Sequence, residues 1–242
     1  MTTTLTRSKD RKVTNSVTDS GNARGANSFG LPSGTEYSCP GATSFCAKIC
    51  YAGKIEKMYV AVKDILVRNW EALQGLDVSG METLLTEMIA DFVKETDRIN
   101  AKGNKATYDF RIHWDGDFFS RDYAEAWKRT MLAFPTVRFW AYTRTLDVVD
   151  ILVTVPNLSL YLSSDPVNRD AVNEASMAYG VPVASVADTF AEARASLPEG
   201  KAYDCPENGK RMPLITPKGS ACLSCGICPD KRGNVTFAVK GR

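Results

Sequence analysis

The residues best suited to chemistry in this sequence are its seven cysteines, which form two separated groups. The groups have the spacings Cys39-x6-Cys46-x3-Cys50 and Cys205-x16-Cys222-x2-Cys225-x2-Cys228. None of the 154 residues between them is a cysteine. Scattered core thiols would not leave such a gap, and an odd number does not close a disulfide framework. Grouped thiols of this kind predict metal binding.

The C-terminal group contains enough thiols to complete one metal centre. Three cysteines at x2 spacing plus a distant fourth resemble the run of bacterial ferredoxins, whose loop wraps around an iron–sulfur cube. Gly226 allows the backbone to approach such a cube, and Pro229 stops the loop from continuing as a helix. The spacing favours a 4Fe-4S cluster over its alternative, a tetrahedral structural zinc site.

The N-terminal group contains only three thiols. If the segment around Cys46 is helical, Cys46 and Cys50 lie on one face and point to the same ion. Three thiolates on a cube leave one iron open to water, to a substrate or to a side chain such as His113, and an open position is typical of catalytic metal sites. Three other interpretations stay open: one centre shared by all seven cysteines, a zinc site closed by a carboxylate or histidine, and plain burial of small apolar thiols.

The composition is that of an ordinary globular chain. Its 242 residues, 44% of them hydrophobic, suffice for one large domain or two small ones. No apolar run approaches the ~18 residues that a membrane span needs, and the N-terminus lacks the apolar stretch of a secretory signal. We therefore expect a cytoplasmic protein with no membrane partner, in a compartment that keeps thiols reduced.

Composition and charge divide the chain into three predicted regions. Residues 1–36 are rich in Thr, Ser, Asn and Gly, which predicts a flexible arm. Residues 37–200 form a β/α core domain that begins with the first cysteine group. Residues 201–242 form a cysteine-rich metal-binding segment with eight basic and three acidic side chains. This basic segment is suited to bind nucleic acid or to offset the charge of a thiolate centre.

The core region alternates between helix and strand patterns. Apolar residues at helical spacing predict helices over 54–73 and 81–99, and Ser120 is suited to cap a helix over 120–134. The predicted strands are "ATYDFRIHW", "VRFWAYT", "LSLYLSS" and "VPVASVA". Repeated strand–helix units build a parallel sheet, because each helix returns the chain to the same edge. The predicted fold class is α/β, with parallel β/α repeats in a partial or distorted β/α barrel.

Polar residues follow the predicted strands, at the edge where parallel α/β folds place their sites. His113, the only histidine, is a candidate ligand or acid–base group. Asp115 and Asp117 are suited to proton transfer, cation binding or helix capping. Arg144 is suited to clamp an anionic substrate or to pair with one of these aspartates. These four are the candidate catalytic residues, and no glycine-rich phosphate loop accompanies them.

Three stretches of the sequence resemble the phage-encoded Gene product 88 family. They are "SFGLPS…CPGAT…C…CYA", "RIHWDGDFFSRDY" and "CLSCGIC". The likeness covers most of the chain after about residue 28, including all seven cysteines with His113, Gly116 and Asp117. That family has no settled activity, so the resemblance implies a phage origin, the host cytoplasm and shared metal ligands.

The layout is also similar, more loosely, to that of radical S-adenosylmethionine enzymes. Those enzymes place a three-cysteine cluster early in a parallel β/α barrel, often with a four-cysteine cluster towards the C-terminus. Their signature is C-x3-C-x2-C, whereas in this chain Gly53 stands at the third position and Cys39 lies upstream. This likeness would imply S-adenosylmethionine as a cofactor.

Together these patterns predict an iron–sulfur protein, and a phage-encoded enzyme if the open site is catalytic. The C-terminal cluster would be closed, with a structural or electron-transfer role. The N-terminal cluster would be site-differentiated, with a free iron that acts on a small molecule as Lewis acid or redox partner. The alternative is a zinc-stapled, non-enzymatic module that binds nucleic acid or a host protein.

Overall fold

A computed structural model describes residues 4–216 and 219–239 of the chain. The strands are β1 (Ser28–Gly30), β2 (Asp109–Asp115), β3 (Arg138–Thr143), β4 (Leu158–Ser164), β5 (Val183–Ala187), β6 (Ala202–Asp204), β7 (Ile215–Thr216), β8 (Gly219–Ser220) and β9 (Asn234–Ala238). The helices are α1 (Ser44–Ile49), α2 (Tyr51–Met58), α3 (Val60–Leu73), α4 (Val78–Ala101), α5 (Arg121–Ala133), α6 (Val149–Leu152), α7 (Arg169–Tyr179), α8 (Phe190–Ala195) and α9 (Ala221–Cys225). A 3-10 turn over Leu146–Val148 precedes α6.

Seven of these strands form one parallel sheet in the order β1-β2-β3-β4-β5-β9-β6. The last strand, β9, is inserted between β5 and β6, and β7 and β8 form a separate antiparallel hairpin. The predicted parallel α/β class is confirmed. Among the described residues β1 and β6 are not paired with each other, so the sheet does not close into a barrel.

The four strands predicted from the sequence correspond to β2, β3, β4 and β5. Three further strands of the sheet escaped prediction: β1 and β6 have only three residues each, and β9 follows directly on the second cysteine group. The helix predicted over 54–73 is divided into α2 and α3 at Tyr59, which has an extended backbone. No helix in the described part of the chain is long and apolar enough to cross a bilayer.

The two faces of the sheet have different coverings, because side chains alternate along each strand. Phe110 and Phe139 face the helices, where Phe110 lies 5.1 Å from the ring of Phe92 on α4. Trp127 on α5 contacts both strand aromatics at 6.4 Å between ring centroids. Burial of each such ring contributes about 1.5–3 kcal/mol to stability. The main hydrophobic core therefore lies between this face of the sheet and the helices. These helices do not cover the opposite face.

The N-terminal region differs from the flexible arm predicted for residues 1–36. Residues 1–3 lie outside the described residues, but the rest packs on the core. Val13, Phe29 and Leu31 are fully buried. The amide of Asn27 donates to the carbonyls of Val13 and Asp109, at 2.7 and 3.0 Å. The polar composition of this region predicted disorder, because composition alone does not show that polar side chains form hydrogen bonds with buried backbone groups.

The predicted C-terminal segment also joins the common sheet, through β6 and β9. Its residues 217–218 and 240–242 lie outside the described residues, so the predicted segment can be compared only over the remainder. There, the strands flank the loop that contains Cys205 and the three closely spaced cysteines. The second cysteine group is therefore anchored to the core sheet at both of its ends.

The cap of α5 provides a direct test of the local structure. The Ser120 hydroxyl accepts a hydrogen bond from the Tyr123 amide at 3.1 Å, as the sequence predicted. We expect Ser120→Ala to lower the free energy of unfolding by about 1 kcal/mol, measured by denaturant titration. The control Ser79→Ala, at an exposed position in the first turn of α4, should change it by less than ~0.5 kcal/mol. Equal effects of the two substitutions would contradict the assignment of the cap.

Candidate metal centre

A cavity of about 490 Å³ lies against the sheet face opposite the main helices, and all seven cysteines line it. The sheet contributes Arg111, Trp140 and Tyr142 to its wall. None of the seven cysteines forms a disulfide, and each is half-buried as a residue. The fold thus brings together two cysteine groups that are separated by 154 residues in the sequence.

Two helix caps position the N-terminal cysteines. The Thr43 hydroxyl caps α1 by accepting from the Cys46 amide at 2.9 Å, and it donates to Asp165 at 2.5 Å, just beyond β4. Cys50 caps α2, because its sulfur accepts from the Gly53 amide at 3.3 Å. The predicted helix around Cys46 is present, but Cys50 lies at its end. Burial raises the pKa of the Cys46 thiol, and the nearby Cys50 sulfur acts in the same direction.

Cys39 is held beside the end of β2. The adjacent Ser38 hydroxyl donates to the Pro32 carbonyl at 2.7 Å and accepts from the Asp117 amide at 3.3 Å. This close approach requires Gly116, where φ is +84° and an added Cβ would lie 2.5 Å from the Ser38 oxygen. Burial raises the pKa of the Cys39 thiol to about 12, with a further contribution from Asp117.

Asp117 connects the ends of β2 and β3. Its carboxylate accepts from the Thr143 hydroxyl and from the Arg144 amide, each at 2.7 Å. Burial raises the pKa of Asp117 to about 6, although these hydrogen bonds oppose the shift. The Arg144 guanidinium binds Asp165 at 2.6 Å, a carboxylate that the sequence did not suggest as its partner. Asp117 and Arg144 therefore connect the carboxyl ends of β2, β3 and β4.

His113 lies at an irregular point of β2. Its φ is +58°, and the register of the β1–β2 pair shifts between Arg111 and Asp115. Its Nε2 lies 2.9 Å from the Tyr123 hydroxyl, while no described residue bonds its buried Nδ1. Burial lowers the pKa of His113 to about 3, so the ring is neutral at pH 7. This neutral form suits a ligand nitrogen and disfavours the predicted role of general acid.

Asp115 is a buried carboxyl group at the wall of the cavity. Neither of its oxygens has a hydrogen-bond partner of normal geometry among the described residues. Burial, reinforced by the neighbouring Glu56 carboxyl, raises the pKa of Asp115 to about 8. Glu56 is buried on α2, where it accepts from the Ser33 amide at 3.0 Å. Nothing in the sequence points to Glu56, since a lone glutamate on a helix is usually exposed.

The raised pKa of Asp115 predicts a specific pH dependence of stability. Between its unfolded value of ~4 and its folded value of about 8, the native state binds the extra proton, so stability falls as pH rises. We expect Asp115→Asn to remove most of this fall in chelator-treated protein, unfolded with denaturant at about pH 5 and about pH 8. Asp91→Asn, at an exposed site on α4, should keep the parent slope. An unchanged slope in Asp115→Asn would contradict the burial of this carboxyl.

The C-terminal cysteines lie on a loop that packs against the sheet. Cys222 and Cys225 are on α9, and Gly226 ends this helix with φ +69°. The Tyr161 hydroxyl donates to the Ile227 carbonyl at 3.1 Å, and the Ser159 hydroxyl donates to the Cys228 carbonyl at 2.6 Å. These hydrogen bonds hold the loop against β4, on the face of the sheet that borders the cavity.

The four C-terminal thiols lie close enough to influence one another. Burial raises the pKa of Cys228 to about 12, and Cys205 and Cys225 act in the same direction. Burial likewise raises the pKa of Cys222 strongly, opposed by positive charge and reinforced by Cys228 and Cys205. Such buried thiols are poor nucleophiles when free, but coordination by a metal would deprotonate them.

The positive charge at these thiols comes from two residues that sequence reasoning missed. Lys12 and Arg111 both line the cavity and both oppose the pKa rise of Cys222. The sequence instead suggested compensating charge in the basic C-terminal segment. Its described basic residues are all exposed: Lys201, Lys210, Arg211, Lys231 and Arg232. That expectation stays a prediction, because a local excess of charge in the sequence does not show which side chains act on the centre.

The arrangement of the possible metal ligands can be compared with the ligand geometry of a zinc site and of an iron–sulfur cluster, the two centres predicted. Among the described residues, no three Cys, His, Asp or Glu side chains converge closely enough to bind a single ion. A tetrahedral zinc site requires such convergence, with Zn–S distances of about 2.3 Å. An iron–sulfur cube binds each thiolate through a different iron, so its ligands spread around the cluster. The described thiols therefore do not form a preformed site for a single ion.

An open parallel α/β sheet with a cysteine-lined cavity defines the class of this protein. The family described as Gene product 88 matches residues 3–231, and the chain belongs to this family. It is 50% identical over 241 residues to the Gene 88 protein of Mycobacterium phage L5, an alignment that covers 97% of this chain and 98% of the relative.

A second phage protein shows the same degree of similarity. The Gene 88 protein of Mycobacterium phage D29 is 50% identical over 242 residues, again with 97% and 98% of the two chains covered. No solved structure matches the chain. The family resemblance is therefore confirmed, whereas the looser likeness to radical S-adenosylmethionine enzymes finds no support in these comparisons.

Proposed function

We propose that this protein is an iron–sulfur enzyme that binds a small molecule in the cysteine-lined cavity. The observation that supports the proposal is the convergence of seven free thiols, from both ends of the sequence, on one cavity. Seven free thiols from remote parts of the chain on one cavity wall support a shared ligand there, because isolated core cysteines would not be expected to gather at one place. Metal and sulfide are the ligands that such a set of sulfurs binds best.

In this proposal the four C-terminal cysteines hold a closed 4Fe-4S cluster. Cys205 follows β6, and the other three come from α9 and the loop after it, so the ligands are fixed by the sheet and by a helix. The Tyr142 hydroxyl opposes the rise in the pKa of the Cys228 thiol, and both residues line the cavity. Hydrogen bonds to cluster sulfurs and burial both tune such centres. The role of this centre is structural or electron-transferring.

The three N-terminal cysteines hold the site-differentiated cluster. When bound, this cluster supplies Lewis-acid or redox chemistry at an iron with no protein sulfur. Near that position the chain contributes the buried Asp115 carboxyl, which can bind a polar group of the ligand. The neutral His113 ring packs against Phe118, Tyr123 and Trp127 of the helix-covered core, and its buried Nδ1 has no partner among the described residues. Arg144 is held by Asp165, so it orients the loop around Cys46 instead of clamping substrate.

S-adenosylmethionine remains a candidate ligand of this open site within the proposal. The cysteine trio follows the first strand of a parallel sheet, which is the arrangement that such chemistry uses, but Gly53 replaces a cysteine of its signature. The host cytoplasm would keep the thiols reduced and available for cluster assembly.

The proposal is tested by metal analysis of the full-length chain purified without oxygen. We expect a brown protein containing iron and acid-labile sulfide in equal amounts. Stoichiometric zinc without iron would overturn the proposal and favour the zinc-stapled module. That module would be colourless, and its affinity for nucleic acid would fall steeply with added salt.

A further inference from the structure

We propose that Lys12 and Arg111 are the counter-charges of the C-terminal cluster and set its reduction potential. This inference rests on the proposed function, because it assigns two further residues to the four-cysteine centre. Neither residue belongs to a cysteine motif, and they lie 99 positions apart in the sequence. Both residues line the cavity, as Cys222 does.

Arg111 is a positively charged residue in the wall of the cavity. It lies in β2 with its guanidinium carbon 5.5 Å from the ring centroid of Tyr142. Its Nε is buried without a hydrogen-bond partner among the residues described. A buried guanidinium is costly unless it meets negative charge. The acidic groups near it are the thiols of Cys222 and Cys228, which line the same cavity, and the carboxyls of Asp10 and Asp115.

Lys12 is fixed to the second cysteine group by the backbone. The Cys222 amide donates to the Lys12 carbonyl at 3.1 Å, and the Ser220 hydroxyl donates to the Thr14 carbonyl at 2.9 Å. The Lys12 ammonium binds the Glu207 carboxylate at 2.5 Å, beside Cys205. One positive and one negative side chain therefore lie at the same centre.

These charges act directly on electron affinity. A cube with four thiolates carries a net negative charge, which increases by one on one-electron reduction. A nearby cation stabilises the reduced form more than the oxidised form, and the effect is strong where water is excluded. Removal of Arg111 or Lys12 therefore lowers the reduction potential, whereas removal of the Glu207 charge raises it.

The test is a potentiometric titration with dithionite, followed by electron paramagnetic resonance. A Cys46→Ala background leaves the C-terminal cluster as the measured centre. We expect Arg111→Met and Lys12→Met to lower the midpoint potential, Glu207→Gln to raise it, and Arg111→Lys to restore the value of the background. Arg121→Met, at an exposed site on α5, is the control and should leave the potential unchanged.

The opposite signs separate charge compensation from damage to the fold. Iron-loaded Arg111→Met with an unchanged potential would overturn this inference and would assign Arg111 to an anionic substrate instead. A shift of the same sign in Arg111→Met and Glu207→Gln would also overturn it. Parent protein, with all seven cysteines, that contains no iron would overturn the proposed function itself.

Discussion

Replacement of Cys225 by alanine is expected to remove the C-terminal cluster and, with it, about half of the bound iron. The free energy of unfolding should also fall by several kcal/mol, since structural Zn²⁺ contributes ~10–16 kcal/mol to the folding of zinc-finger peptides. The loss is large because the loop from Cys205 to Cys228 leads into β9, which lies between β5 and β6. Without the metal, this inserted strand is connected by a loop of partly buried, unpaired thiols.

The matched control for this prediction is Ser224→Ala on the same short helix. The Ser224 hydroxyl bonds the Thr216 hydroxyl at 2.8 Å and is not a metal ligand, so iron content should be retained. Iron and sulfide assays with denaturant unfolding measure both effects. A Cys225→Ala protein with the iron content of the parent would contradict the four-cysteine centre.

The second large effect is expected for Cys46→Ala, which should remove the N-terminal cluster and leave the fold intact. About half of the iron should be lost in this variant too. The free energy of unfolding of chelator-treated, metal-free protein should change by less than ~1 kcal/mol. The Cys46 side chain lines the cavity, and α1 is capped by Thr43. Cys50 is less suitable for this test, because its sulfur caps α2.

Lys48→Ala, at an exposed position of α1, is the matched control and should keep all the iron. Absorbance, iron content and electron paramagnetic resonance of the reduced protein distinguish the two centres. If Cys46→Ala and Cys225→Ala each lost all the iron, the seven cysteines would hold a single shared centre instead of two separate clusters.

Much of the fold is predictable because its central elements have strong local patterns. The stretches that form β2 to β5 alternate with helices, and this rhythm alone indicates a parallel sheet. Ser120 is recognisable as a cap from its residue type and position. The strands β1, β6 and β9 were not predicted, because three to five residues give no reliable period and their pairing is decided by distant partners.

The candidate site is predictable where chemistry is concentrated in rare residues. Cysteine spacing indicates all seven candidate ligands, and the polar strand ends indicate Asp115 and Asp117. Lys12, Glu56 and Arg111 were missed, although they line or adjoin the cavity. Charged residues are common and mostly solvated, so only the fold shows which of them are buried. Arg144 was correctly expected at a strand end, but its partner Asp165 depends on tertiary structure.

The most direct test of the two-cluster proposal is anomalous X-ray scattering from crystals of the full-length protein grown without oxygen, recorded at the iron edge and at the zinc edge. We predict two iron peaks inside the cavity, one surrounded by the four C-terminal cysteines and the other by Cys39, Cys46 and Cys50. A zinc peak at either group, or cysteines without any anomalous neighbour, would contradict the proposal.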